Sequence, residues 1–320
     1  MKIGLETESC HLLFQHGKMD VFSFIDTAWE LGLDGVELNI IPDLNLHPEL
    51  GVLESDDKAY LHRIREKLER YNLYCEIDTR FCHKESLLRG LKIANELGAD
   101  VVRTYVSNGN FNPERMALAP AQLKEIVPYL KKYRIKLALE NHEHETSDEI
   151  INIIKAVNSI WVGAHCDIGN SMMAWEDPVA AVTALAPYTY STHFKDHIIT
   201  LHDDIPVVCG VPIGKGSIDI DTCFKLLVDH SPVTRINIEN CYPYCAKFAR
   251  PIGTGGVRHL DGAFEIKPPP FSPDFIKPLD YYYPHTISQE ALDTLTQAQI
   301  NALHISIGAL NKLKQKYCAC

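Results

Sequence analysis

Through the first three quarters of the chain, short β-branched and aliphatic runs, each closed by a polar residue, alternate with longer stretches of helical apolar spacing. The runs predict strands at Lys2–Glu6, Gly35–Asn39, Tyr74–Asp78, Val101–Tyr105, Lys136–Glu140, Trp161–Asp167, Tyr190–Lys195 and Arg235–Glu239. Val21, Phe24, Ile25 and Ala28 share one face of a helix closed by Gly32. Leu61, Ile64 and Leu68 do the same within 57–71, and Gly98 closes a helix over 87–97. Helices over 123–133, 149–157, 178–185 and 219–229 complete the set. Strands that alternate with helices form parallel sheets, because parallel neighbours need a crossover. Eight repeats suit a closed (β/α)8 TIM barrel, an α/β fold. A doubly wound sheet is the alternative, but no GxGxxG follows the first strand. In a barrel the residues ending each strand at its C-terminal side build the active site.

The pattern breaks after Glu239. Eight of the 18 prolines fall between Pro243 and Pro284, around Pro268-Pro269-Pro270 and the run Tyr281-Tyr282-Tyr283. Proline continues neither helices nor central strands, so this is an extended arm. Thr286-Ile287-Ser288-Gln289 reads as a capping box opening a helix with Leu303, Ile307 and Leu310 on one face. That helix has a basic end, Lys312-Lys314-Lys316. The expected organisation is a catalytic barrel over residues 1–240 and a long C-terminal extension over 241–320. The arm either covers its own barrel or contacts a partner subunit.

Composition narrows the function. The chain has 320 residues, 46% hydrophobic and 23% charged, which is ordinary globular usage. The formal charge of −11 argues against nucleic acid and against an anionic membrane surface. No apolar run approaches the ~20 residues of a membrane span, and Met1–Glu6 has no signal core, so a cytoplasmic location is expected. The ten cysteines are scattered and read as reduced, buried thiols. Cys241 with Cys245, and Cys318 with Cys320, are the candidate redox pairs.

The polar residues that end the later strands carry the chemistry. Strand five ends in Glu140-Asn141-His142 and strand six in Asp167-Ile168-Gly169-Asn170. Strand seven ends in His193-Phe194-Lys195 and strand eight in Glu239. Any one of these alone is more simply a strand-end polar residue. Together, on four consecutive strands, Glu140, Asp167, His193 and Glu239 form a carboxylate-rich set with one imidazole. Such a set suits one divalent ion, Mn²⁺ ahead of Mg²⁺ or Co²⁺. His142, two residues past Glu140, projects to the same side of its strand. With an unperturbed pKa near ~6.5 it suits proton transfer. Lys195 could polarise a carbonyl or hold a substrate anion, and Arg103 and His165 are further substrate-contact candidates. Glu37 could orient a neighbour.

These motifs, with Gly32-Leu33-Asp34-Gly35-Val36-Glu37, His193-Phe194-Lys195-Asp196 and Gly214-Lys215-Gly216-Ser217-Ile218-Asp219, resemble the xylose-isomerase-like barrels. That superfamily holds sugar epimerases and isomerases, inosose dehydratases and the endonuclease IV repair nucleases. The resemblance implies that Glu140, Asp167, His193 and Glu239 bind one divalent metal. It also implies a Lewis acid for a keto-sugar, with Glu140, Glu239 or His142 as base. The nuclease branch uses a zinc cluster and runs basic, which the acidic balance disfavours.

The long arm and Glu140-Asn141-His142 together resemble the α subunit of bacterial C-glycoside deglycosidases. Those enzymes pair with a small β subunit and cleave the C–C bond of a 3-oxo-C-glucoside. The expected activity is therefore a metal-dependent carbon–carbon lyase on a 3-oxo sugar, in a complex with such a subunit or as a homo-oligomer. A 3-oxo sugar-acid decarboxylase is a close rival, and a ketose isomerase or epimerase the main alternative. A third reading is a non-catalytic sugar-binding or assembly barrel.

Overall fold

The computed structural model describes residues 1–42, 45–107 and 110–318. Twelve strands occur in chain order among them. They are β1 (Lys2–Glu6), β2 (Gly35–Asn39), β3 (Tyr74–Asp78), β4 (Val101–Thr104), β5 (Lys136–Glu140), β6 (Val162–Asp167), β7 (Thr189–Phe194), β8 (Asp196–His202), β9 (Ile205–Val211), β10 (Arg235–Ile238), β11 (Tyr244–Lys247) and β12 (Lys277–Pro278). The helices are α1 (His11–Gln15), α2 (Val21–Glu30), α3 (Lys58–Tyr71), α4 (Lys84–Leu97), α5 (Pro113–Tyr133), α6 (Ser147–Val157), α7 (Pro178–Leu185), α8 (Ile220–His230) and α9 (Gln289–Cys318).

Strands β1 to β7 and β10 close a parallel barrel in the order β1-β10-β7-β6-β5-β4-β3-β2. All eight lie within a residue or so of the expected spans. The inward faces of a barrel must be filled, and here Tyr74 plugs the space left by two glycines. A Cβ on Gly35 would meet the Tyr74 ring at 2.3 Å. The Tyr74 hydroxyl donates to Asn237 Oδ1 at 2.7 Å.

The helices start and stop where local chemistry says they should. Asp20 and Asp177 accept the N–H groups of Ser23 and Ala180, capping α2 and α7. Gly98 ends α4 at φ +76°, a conformation that Cβ penalises. Helix α5 starts at Pro113, well before the expected 123, because Pro113 sits at its first turn and Asn112 caps it. Helix α9 corrects another expectation. Its first turn is held by Ser288, whose Oγ accepts the Ala291 N–H at 3.3 Å, and not by Thr286. The Thr286 hydroxyl instead donates to the Tyr283 carbonyl at 2.8 Å.

Two features close the top of the barrel, and a last helix packs on it. β8 and β9 form a hairpin that the strand pattern did not predict, joined by Asp203 and Asp204 at φ 51° and 61°. Two positive φ angles are the mark of a tight type I′ hairpin turn. The arm returns and adds β11 to β9 antiparallel, with Cys245 opposite Cys209. β12 then extends the sheet to the order β12-β11-β9-β8. The face of α9 formed by Leu303, Ile307 and Leu310 joins the barrel's own apolar core. Residues on both sides of position 240 thus share one sheet and one core.

The described cysteines are all free thiols, Cys241 and Cys245 included. Cys320 lies outside the described residues. Among the described residues no helix is long and apolar enough to cross a membrane.

Candidate active site

The barrel geometry carries four side chains to one point. Glu140 and Asp167 are the last residues of β5 and β6, His193 is the next to last of β7, and Glu239 follows β10. His193 Nδ1 lies 3.5 Å from Glu140 Oε1, 3.7 Å from Asp167 Oδ2 and 3.2 Å from Glu239 Oε2. The candidate ligand atoms of Glu140, Asp167 and His193 lie within 4.8 Å of one another. Those three residues are fully buried, and Glu239 is nearly so.

Each of these side chains is aimed by its other polar atoms. Asp167 Oδ1 accepts the N–H groups of Gly169 and Asn170 at 2.8 and 2.9 Å, which leaves Oδ2 directed at the cluster. Arg103 holds Glu140 Oε2, so Oε1 faces inward. Arg103 also pairs with Asp78. His193 Nε2 lies 3.3 Å from Glu37 Oε2, as expected for an orienting carboxylate. Glu37 is itself held by Asn237 Nδ2 at 2.6 Å. Asn141 accepts the Asp167 N–H at 3.0 Å and donates to the Asp167 carbonyl at 2.9 Å, locking β5 to β6.

This donor set fits a divalent cation. Three carboxylate oxygens and one imidazole nitrogen converge in a buried site, and partners behind them fix their orientation, as metal ligands require. Lys195 supplies positive charge there: Nζ lies 2.7 Å from Asp167 Oδ2 and also meets Glu239. Burial opposes ionisation of Glu239, but His193 and Lys195 outweigh it and hold its carboxyl well below the usual range. Burial likewise opposes charge on His193, yet Glu239 and Glu37 raise its pKa well above the ordinary imidazole value.

A cavity of about 310 Å³ opens onto this cluster. Of the expected residues, Arg103, His142, Lys195 and Glu239 line it. His165 does not. It is wholly buried, with its ring edge-on to His193 at 4.1 Å and no hydrogen-bond partner for either nitrogen. His142 also differs from expectation. Burial, with Arg103 and Lys195 nearby, pushes its pKa well below the ordinary value, so the ring is neutral. It stacks on Tyr105 at 3.9 Å with the planes 8° apart.

Sequence reasoning missed Arg80, Tyr105 and Glu143 on the cavity wall. Arg80 and Tyr105 follow β3 and β4 within two residues, so the strand-end rule reaches both. Glu143 takes φ 56°, an uncommon conformation for a side-chain-bearing residue, and nothing in its local sequence signals that. The cover was also missed. Val208 and Gly210 of the hairpin and Tyr244, Ala246 and Leu279 of the arm wall the cavity from above. Tyr244 Oη donates to Glu8, tying the arm to the first βα loop.

Comparison with known proteins agrees with the barrel fold. The family model described as xylose isomerase-like TIM barrel matches residues 25–243. The 3-oxo-isoapionate decarboxylase of Pectobacterium atrosepticum is 23% identical over 200 residues, covering 62% of this chain and 72% of that protein. The crystal structure of IolI with a bound zinc atom superposes with a TM-score of 0.63 at 15% identity, covering 99% of each chain. A D-psicose 3-epimerase crystallised in the presence of D-fructose gives 0.58 at 13% identity, covering 96% of this chain and 100% of that one. Both structural likenesses are likenesses of fold.

Proposed function

Because the chain belongs to the xylose isomerase-like TIM barrel family, we propose that it is a divalent-metal-dependent carbon–carbon lyase acting on a 3-oxo sugar through an enolate. The observation that carries this reading is the convergence of Glu140, Asp167 and Glu239 oxygens on His193 Nδ1 beside a sugar-sized cavity. The similarity to a 3-oxo-isoapionate decarboxylase supports both the 3-oxo substrate and loss of a carbon group.

Glu140, Asp167, His193 and Glu239 would hold the ion, with Mn²⁺ ahead of Mg²⁺ or Co²⁺ for so carboxylate-rich a set. When bound, it supplies a Lewis acid that lowers the energy of a developing enolate oxygen. The remaining steps belong to the protein. Neutral His142 on the cavity wall takes the proton from the carbon beside the 3-keto group. The electrons of that C–H bond form the enolate, and its collapse expels the neighbouring carbon substituent, which leaves with the bonding pair and is protonated. For a carboxylate substituent the order differs: CO₂ departs, its bonding pair stays behind as the enolate, and water delivers the proton to carbon. Lys195 places its ammonium where negative charge accumulates. The arm and hairpin exclude water from above.

A ketose isomerase or epimerase is the second reading. It is favoured by Glu140 and Glu239, two carboxylates that approach the same point from separate strands, β5 and β10. The discriminating experiment incubates the metal-loaded protein with a 3-oxo-C-glucoside, a 3-oxo sugar acid and a panel of ketoses in D₂O. Aglycone or CO₂ release is the expected result. Deuterium in recovered ketose with no release supports the epimerase instead. His142→Ala is expected to lower C-glycoside cleavage about 10²-fold or more. Unchanged cleavage removes His142 from the base role.

A further inference from the structure

The cavity has three arginine and lysine side chains on its wall, and they are not equivalent. Arg103 is committed to Asp78 and Glu140, and Lys195 to Asp167 and Glu239. Arg80 has no carboxylate in ion-pair reach among the described residues. Its one hydrogen bond there is Nε to Tyr105 Oη at 2.6 Å. That bond orients the guanidinium and leaves its two terminal nitrogens without an acceptor among the described residues. The backbone beneath is pinned as well, since Ser86 Oγ donates to the Arg80 carbonyl at 2.6 Å.

A planar fork held from behind and open in front is the geometry that recognises a carboxylate through two parallel hydrogen bonds. Among the described residues no carboxylate of the wall pairs with this charge. Burial pushes His197 down to about 4, so it is neutral, and burial pushes the Glu143 carboxyl upward. Tyr105 relates the fork to the reacting end of the cavity. Its hydroxyl takes the Arg80 bond, and its ring stacks on His142 at 3.9 Å and lies under the Arg103 guanidinium at 4.7 Å.

We propose that Arg80 is the subsite for a substrate carboxylate, so that an anionic 3-oxo sugar, a sugar acid, is preferred over a neutral C-glucoside. This rests on the reading above and narrows it. The carboxylate held by Arg80 is a handle at the far side of Tyr105 from the metal ligands. It sets affinity and orientation, while the chemistry proceeds at the cluster.

The test is calorimetric binding to the Mn²⁺-loaded protein. The probes are D-gluconate, its neutral counterpart D-glucitol, and D-glucitol 6-phosphate. The wild type is expected to bind gluconate at least tenfold more tightly than glucitol and more tightly than the phosphate. Arg80→Met is expected to abolish that preference and leave glucitol affinity unchanged. Arg80→Lys, which keeps the charge without the fork, is expected to fall between. A preference that survives Arg80→Met, is absent from the wild type or is larger for the phosphate overturns the proposal. Turnover is not part of this readout. A protein that shows the preference but cleaves no 3-oxo sugar refutes the lyase reading alone. One that cleaves them without the preference refutes the Arg80 subsite alone.

Discussion

In the lower half of the barrel, Glu76 of β3 is met by Arg235 Nε, Ser191 Oγ and Asn237 Nδ2, and Arg235 turns its other nitrogens to Asp100. In the upper half, Glu140, Asp167 and Glu239 crowd one nitrogen of His193. Asn237 stands between the halves and donates to both Glu37 and Glu76. Both layers are buried and charged, but the lower one neutralises itself with its own residues. The upper one also has cations of its own, Lys195 on Asp167 and Glu239 and Arg103 on Glu140, but it turns three carboxylate oxygens toward one nitrogen of His193. The lower layer has the closed pairing of a structural network, and the proposed function assigns the convergent upper layer to a ligand.

Breaking the upper layer has the largest functional effect. Asp167→Asn is expected to lower turnover on the order of 10³-fold, with a smaller loss of melting temperature, because the Lys195 ammonium loses one carboxylate partner and keeps Glu239. Steady-state rates and thermal melts of the same preparation check both halves. Breaking the lower layer reverses the pattern. Arg235→Met leaves Glu76 buried without its countercharge and is expected to cost about 3–5 kcal/mol of stability. Denaturant titration measures this, and an unchanged midpoint contradicts the division between layers.

Asp196 shows the lower rule carried out by backbone alone. Its carboxylate accepts N–H groups from Gly214 and Gly216 at 2.9 and 2.8 Å and from His197 at 2.9 Å. A Cβ on Gly216 would meet Asp196 Oδ1 at 2.0 Å. Gly216→Ala is therefore expected to destabilise by about 1–3 kcal/mol, read as a lower melting temperature.

The most gradual effect sharpens the comparison through pH. Burial pushes the Glu145 carboxyl from its ordinary 4.5 up to about 8. The folded state then keeps a proton that the unfolded state has released. Stability from this group is fully present below about 4.5 and is lost as pH rises through 8, with a slope of at most about 1.4 kcal/mol per pH unit. Glu145→Gln is expected to flatten the stability profile between those values. Equal slopes for variant and wild type contradict it.

How much of this was legible in the sequence follows from the range of each interaction. The barrel strands were readable because a strand buried on both faces is a run of apolar residues, and each ends where its polar rim residue begins. The metal-type cluster was readable because one rule, strand ends share a rim, gathers residues distant in sequence. The hairpin was lost because β7 and β8 are separated by Lys195 alone, with no turn residue to divide them. Its one local sign was Asp203-Asp204. The arm's docking on β9 joins residues more than thirty positions apart and leaves no local pattern. Arg80 escapes the strand-end reading because it lies two residues past β3, and Tyr105 because an aromatic at a strand end reads as core. His142 was read at its unperturbed pKa because burial and the nearby cations are tertiary facts.

Metal binding to the upper layer tests the central claim most directly. Protein stripped with chelator is titrated with Mn²⁺, followed by elemental analysis and thermal melting, for the wild type and Asp167→Asn. The expected result is one ion per chain and a melting temperature that rises with Mn²⁺ in the wild type, with both responses lost in the variant. Absence of a bound ion from the wild type, or equal binding by the two proteins, contradicts the account.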